Sequence, residues 1–351
     1  MRLEQIGRGG SSKVYKVLGP DFQVYALKRV RPTQMNSKTQ AIFQNEIDLM
    51  KKLRGRPNII ELIDSEINRE RKCIYMVMEM GDIDLNHLLK KRAKENAEGS
   101  AKDENFLRMV WQQMLEAVHT IHQERIVHSD LKPANFLCVK GTLKLIDFGI
   151  AKAISDDTMN IHRDSQVGTV NYMSPESIMD TGSHGGSTPF GKRSQHMKLG
   201  RSSDIWSLGC ILYQLVYGKT PFAHLGMVQK LQAIINPNTE IEYPDYPNQA
   251  AIATIKACLQ FDPTKRPTID GSEGLLAHTF LNPSTSDTSS VSLEDMGKLV
   301  DGLLDLGHSI GGDAKSSTVK RKLAKALHDQ VCRGAALDVD EALDSAMTSA
   351  R

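Results

Sequence analysis

The sequence predicts an α+β fold in two lobes, a strand-rich small lobe over residues 1–80 and a helical large lobe over residues 82–281. Three observations carry this prediction. Apolar and β-branched residues crowd the first 80 positions at strand spacing. Beyond Gly81 they recur mainly at helical spacing. Within the helical part, His128-Ser129-Asp130-Leu131-Lys132-Pro133-Ala134-Asn135 sets an acid, a cation and an amide at fixed offsets, and Asp147-Phe148-Gly149 follows with a second acid. Phosphoryl transfer needs that set: a carboxylate for the hydroxyl proton, a cation for the transferring group, and oxygens for a metal ion.

Each element has its own signal. Val14, Tyr15 and Val17, then Val24, Tyr25, Leu27 and Val30, predict the first strands. Residues 39–53 predict the one helix of the small lobe, with Ile42, Ile47, Leu49, Met50 and Leu53 as its apolar face. A strand over 74–80 ends at Gly81, which places a hinge near 79–82. Helices over 85–92 and 104–123 follow, parted by a polar loop around 95–103. Short strands over 136–139 and 143–146 flank the His128–Asn135 run. Residues 182–200 are rich in Gly, Ser and Lys and read as a surface insertion. Helices resume over 203–217, 225–235 and 249–259.

The last part differs in composition. Residues 282–292 are Ser/Thr/Pro-rich and read as a linker into a tail over 282–351. Leu293, Met296, Leu299, Val300, Leu303 and Leu304, then Val319, Leu323, Leu327 and Val331, follow helical spacing. Such amphipathic helices pack on the large lobe or on each other, or dock a partner.

Composition excludes several classes. With 351 residues, 40% hydrophobic and 25% charged, the chain reads as soluble and globular. A net charge of +2 gives no pull toward nucleic acid or a membrane surface, and neither is expected as a partner. The five cysteines form no C-x-x-C pair, so a reduced intracellular compartment is expected. No apolar run approaches the roughly 18 residues of a membrane span, and Met1-Arg2-Leu3-Glu4 opens no signal peptide. Catalytic features begin at residue 7, and a targeting region upstream is left open.

The nucleotide side is built from the small lobe. Gly7, Arg8, Gly9, Gly10, Ser11, Ser12, Lys13 and Val14 form a glycine-rich turn between strands, where backbone amides can approach phosphate without a Cβ clash. Lys28 lies on the following strand, placed to reach phosphates. Glu46 faces inward with Ile42, Met50 and Leu53, and a carboxylate buried there needs a partner, so a Lys28–Glu46 pair is predicted. The Glu79 carbonyl and Gly81 amide are candidates for adenine, with Met78 at the back of the pocket. His119 and His122 find no third ligand at useful spacing and read as packing residues.

These motifs stand in the order of the protein kinases: Gly7–Val14, Lys28, Glu46, His128–Asn135, Asp147–Gly149, Ser174-Pro175-Glu176, Asp204-Ile205-Trp206-Ser207-Leu208-Gly209 and Arg266. The resemblance covers residues 1–281 and implies a two-lobed protein-kinase fold using ATP and Mg2+. It implies that Asp130, Lys132 and Asn135 are catalytic and that Asn135 and Asp147 hold the metal. Ile6, Ala26 and Leu137 join the nucleotide pocket, Asp204 supports the catalytic loop, and Arg266 pairs with Glu176 beneath the substrate platform. Lys132 in Asp-Leu-Lys-Pro-Ala-Asn looks like the serine/threonine group.

The run Ile74-Tyr75-Met76-Val77-Met78-Glu79-Met80-Gly81-Asp82-Ile83-Asp84-Leu85 and the run from Asp164 to Met173 resemble the monopolar-spindle, or TTK, kinases. So does Ser129, standing where many kinases carry arginine. That family implies dual-specificity activity in the spindle-assembly checkpoint, kinetochore and checkpoint proteins as substrates, and a nuclear or cytoplasmic location with kinetochores and spindle in mitosis. Ser129 cannot pair with a phosphate, while Thr158, Ser165 and Thr169 offer hydroxyls for self-phosphorylation in trans, with Lys152 and Arg163 nearby to receive the charge, or, for Thr169, to position the substrate site by bonding Asp130 or Lys132. A serine/threonine kinase outside the checkpoint and an ATP-binding pseudokinase scaffold are the alternatives.

Overall fold

The computed structural model describes residues 2–9, 12–32, 36–95, 103–147, 170–181, 200–283 and Lys325. The chain divides into two compact units, Met1–Leu281 and Asn282–Arg351. The two helical segments expected in the tail lie outside the described residues, apart from Lys325.

The small lobe is an antiparallel sheet in the order β1-β2-β3-β5-β4, built from β1 (Arg2–Arg8), β2 (Ser12–Leu18), β3 (Val24–Val30), β4 (Leu62–Asn68) and β5 (Cys73–Glu79). Its one helix, α1 (Ser37–Lys52), starts where the Asn36 side chain accepts the Thr39 amide at 2.8 Å. That contact satisfies an amide with no intrahelical partner. Of the apolar face predicted for it, Ile47, Met50 and Leu53 are buried and Ile42 and Leu49 half-buried, with Phe43 buried beside them. The register of β3 sets the site: Ala26 pairs with Met78 and Lys28 with Met76 on β5, while Val14 on β2 pairs with Lys28.

The large lobe opens with β6 (Ile83–Asp84), α2 (Leu85–Glu95) and α3 (Glu104–Gln123). Asp103 ends the polar loop by capping α3, accepting the Phe106 amide at 3.0 Å. Trp111, Met114, Leu115, Val118 and Ile121 on α3 are fully buried. Strands β7 (Phe136–Val139) and β8 (Thr142–Leu145) form a small sheet with β6. Three further helices complete the core: α5 (Arg201–Tyr217), α6 (Met227–Ile235) and α7 (Gln249–Cys258), with the short α4 (Pro175–Thr181) before them.

Helix α5 is buried on nearly every side from Ser203 to Val216, as a helix apolar all round must be. It begins at Arg201, two residues before its apolar spacing does, because Gly200 supplies the extended cap. The lobes are tied by backbone: Leu145 donates to the Asn58 carbonyl at 2.9 Å, and Ile60 donates to the Leu145 carbonyl at 3.0 Å.

Candidate active site

The His128–Asn135 run leaves α3 and is fixed by a buried acid on α5. Asp204 is fully buried and accepts three hydrogen bonds: from the His128 amide at 2.9 Å, the Ser129 amide at 2.9 Å, and His122 Nε2 at 2.8 Å. Those bonds hold Ser129 at a φ of 65°, a left-handed conformation that costs a non-glycine residue about 1–2 kcal/mol. The His128 ring in turn bonds the Asp147 carbonyl, and the Ile146 amide donates to the Asn135 carbonyl at 2.9 Å. The two acid-bearing segments are therefore stitched together beside the acid.

Asp130 accepts Lys132 Nζ at 3.0 Å. Burial pulls the Lys132 ammonium below the usual lysine range, against the opposing pull of Asp147. Asn135 is buried, and its Oδ1 has no hydrogen-bond partner. An orphaned buried oxygen is costly, and an amide oxygen is a hard donor suited to magnesium. Together with the Asp147 carboxylate it makes a donor set that fits the metal. Among the described residues, no cluster of three or more His, Cys, Asp or Glu side chains could hold an ion.

Lys28 corrects one expectation. Its ammonium lies 3.9 Å from Asp147 Oδ1, and no ion pair to Glu46 is formed. Glu46 does face the core, 2% exposed, but its Oε2 has no partner. The physical reason is competition for one cation. Burial disfavours the Lys28 charge, yet Asp147 and then Glu46 more than offset it, so its pKa is raised. With the nearer carboxylate holding the lysine, burial pushes the Glu46 carboxyl above its usual range, against the pull of Lys28.

The nucleotide pocket takes shape around the hinge. The amide of Gly9 donates to the Ser12 carbonyl at 2.8 Å, closing the β1–β2 turn, and Gly7 pairs with Val14. A Cβ on Gly81 would sit 2.3 Å from Leu137 Cδ2, so any larger residue there must displace the Leu137 side chain. The Asp82 amide donates to the Cys138 carbonyl at 2.8 Å, fixing that approach. The Glu79 side chain is anchored by Lys144 Nζ at 2.6 Å and the Glu61 amide at 2.8 Å.

Below the site, Arg266 forks onto Glu176 at 2.7 and 3.0 Å, as predicted, and Ser203 Oγ donates to the same carboxylate at 2.8 Å. Burial works against the Glu176 charge, but hydrogen bonds and charge from Arg266 win and hold its pKa below the usual range. His122 is the residue that spacing alone undervalued. Its signal was its position on the buried face of α3, where a polar ring needs a partner. Gly10, Ser11, Phe148, Gly149, Lys152, Thr158, Arg163, Ser165 and Thr169 lie outside the described residues.

The protein kinase domain matches residues 1–281. The chain belongs to the protein kinase family. It is 52% identical over 283 residues to the probable serine/threonine-protein kinase mps1 of Dictyostelium discoideum, covering 80% of this chain and 27% of that one. It is 47% identical over 305 residues to the serine/threonine-protein kinase mph1 of Schizosaccharomyces pombe, covering 82% of this chain and 43% of that one. It is 43% identical over 332 residues to the dual specificity protein kinase TTK of Mus musculus, covering 93% and 36%. The chain thus spans less than half the length of these relatives. Among the described residues, no helix of the kinase is long and apolar enough to cross a membrane.

Proposed function

We propose that this chain transfers the γ-phosphate of ATP to serine or threonine hydroxyls of protein substrates, with tyrosine as a further acceptor in the manner of a dual-specificity kinase. The buried, unpartnered Asn135 Oδ1 beside the Asp147 segment carries the reading, because it gives a costly orphan atom a purpose as a metal ligand. In this reading Asn135 and Asp147 hold magnesium, which neutralises charge on the phosphate oxygens when bound. The Gly7–Val14 turn covers the phosphates and Lys28 supplies a cation to them. Ile6, Val14, Ala26, Met78 and Leu137 enclose the base, and the hinge at Glu79 and Gly81 offers backbone groups to its edge.

Asp130 orients the substrate hydroxyl and accepts its proton. Lys132, already 3.0 Å from Asp130, stands where charge on the transferred group is balanced. Asp204 keeps both on a fixed backbone. The rate gain comes from positioning and electrostatics. Asp130→Ala is expected to lower the transfer rate by about 10²–10⁴-fold with ATP binding intact. Wild-type transfer by that variant would overturn the assignment.

The similarity to mps1, mph1 and TTK supports a role in the mitotic spindle checkpoint, with kinetochore proteins as substrates and kinetochores as the mitotic location. In the same reading, residues 1–281 are the catalytic domain, 282–351 a separate tail, and Thr158, Ser165 and Thr169 targets of self-phosphorylation. Phosphosite mapping on a panel of kinetochore proteins, and on the chain itself after ATP incubation, tests this. Absence of phosphate on all of them, with transfer to a generic substrate intact, would place the enzyme outside the checkpoint.

A further inference from the structure

Lys230 on α6 is buried, 7% exposed, yet among the described residues no carboxylate lies within salt-bridge distance of it. Its side-chain hydrogen bond among the described residues runs from Nζ to Asn171 Oδ1 at 2.6 Å. Asn171 is the middle residue of the turn Val170–Tyr172, which leads into Ser174-Pro175-Glu176. The flanking residues of that turn are held by other means. Val170 is buried, Tyr172 OH donates to Gln214 Oε1 at 2.6 Å, and Ser207 Oγ donates to the Tyr172 carbonyl at 2.7 Å. Helix α5 thus grips the end of the turn, and Lys230 of α6 bonds its centre.

This is a poor way to stabilise a fold. Burying an ammonium against a neutral amide forfeits solvation that no opposite charge restores. Burial draws the Lys230 ammonium below the usual lysine range. The helix adds to the cost, since Lys230 sits in the first turn of α6, whose Gly226 cap offers no side chain and whose first turn holds no acid. Cations at that end of a helix are disfavoured by its dipole. A methionine would fill the same stem volume without the charge. What the lysine supplies instead is a fixed position for the Asn171 side chain and, through it, for the turn.

We propose that Lys230 is a positioning residue for the protein acceptor, acting through Asn171 to fix the turn against which the acceptor segment docks. The inference rests on the reading of residues 170–176 as the acceptor platform of a kinase. It places a determinant of acceptor binding on α6, outside the catalytic and nucleotide-binding residues.

The test uses the full chain with an acceptor peptide, comparing wild type with Lys230→Met, Asn171→Ala and the double variant. Transfer by the wild type secures the kinase reading, and its failure would remove that reading rather than this one. If Lys230 positions the acceptor, Lys230→Met raises the KM for peptide by about tenfold, the effect of one lost charge-assisted hydrogen bond. The KM for ATP stays within about twofold, and the melting temperature is equal to or above that of wild type. Asn171→Ala then raises the KM for peptide at least as far as Lys230→Met, and adding Lys230→Met to Asn171→Ala changes nothing further, because the lysine acts through that side chain. A peptide KM unchanged in Lys230→Met, a lowered melting temperature as the only effect, or single effects that multiply in the double variant would each overturn the proposal.

Discussion

Removing Arg266 tests how the platform is held. Its guanidinium uses all five donors: two to Glu176 at 2.7 and 3.0 Å, and one each to the carbonyls of Ser202 at 2.9 Å, Gln260 at 2.8 Å and Phe261 at 3.1 Å. In Arg266→Ala, Glu176 keeps only the Ser203 hydroxyl among its side-chain partners, and three carbonyls lose a donor. Breaking a buried pair from one side costs about 3–5 kcal/mol. At about 2–4 °C per kcal/mol for a domain of this size, the melting temperature falls by roughly 6–20 °C.

The pH dependence of Arg266→Ala changes sign. In the wild type the depressed Glu176 pKa contributes stability above the ordinary value of 4.5, and that contribution is lost as pH falls through the folded pKa. Without Arg266, burial governs Glu176, its folded pKa rises, and acid relieves the charge. The gap between the two proteins therefore narrows as pH falls through the variant's raised pKa and on toward the wild type's lowered one. Urea unfolding from pH 7 to pH 4 measures it. A loss under about 1 kcal/mol at pH 7, or a gap that widens in acid, would refute the reasoning.

Three further outcomes are expected. Gly81→Ala forces a methyl group onto Leu137 and weakens ATP binding by about tenfold in a displacement assay, with Leu137→Ala restoring part of it. Asp204→Asn leaves one of its three donors mismatched and loosens the catalytic loop, so kcat falls by about 10² in steady-state kinetics while ATP affinity holds. Glu46 has a raised pKa, so its contribution is fully present below 4.5 and lost as pH rises through the folded value. Glu46→Gln is expected to raise the melting temperature at pH 7 by roughly 2–4 °C, an advantage that disappears in acid. An unchanged melting temperature at pH 7 would mean that Glu46 is paired.

Much of this was legible in the residues because the cues were local. The bounds of α3 and β7 follow from apolar spacing and the Asp103 cap, and the Glu176–Arg266 pair from the motifs that carry it. Burial of Glu46 was legible too, since the helical period puts it among Ile42, Met50 and Leu53. Its partner was not. Periodicity says which face a carboxylate occupies, but Lys28 chooses between Glu46 and Asp147 by distances that depend on how α1 sits on the sheet. The bond between His122 and Asp204 joins residues 82 apart in sequence, beyond the reach of any spacing rule. The left-handed Ser129 and the close approach of Leu137 to Gly81 are likewise products of packing.

The chain of contacts from His122 through Asp204 and His128 to the Asp147 carbonyl has a consequence for turnover. Every link in it belongs to the large lobe or to the segment leading from β8, and none to the glycine-rich hairpin. Asp130 and Asp147 therefore share one mount, joined to the sheet that carries the hairpin through Lys28 and the Leu145 backbone. In the proposed reaction, a shift of the glycine-rich hairpin would leave these two acids aligned with each other. Under that reading, nucleotide would exchange without Asp130 and Asp147 having to be reassembled for each cycle.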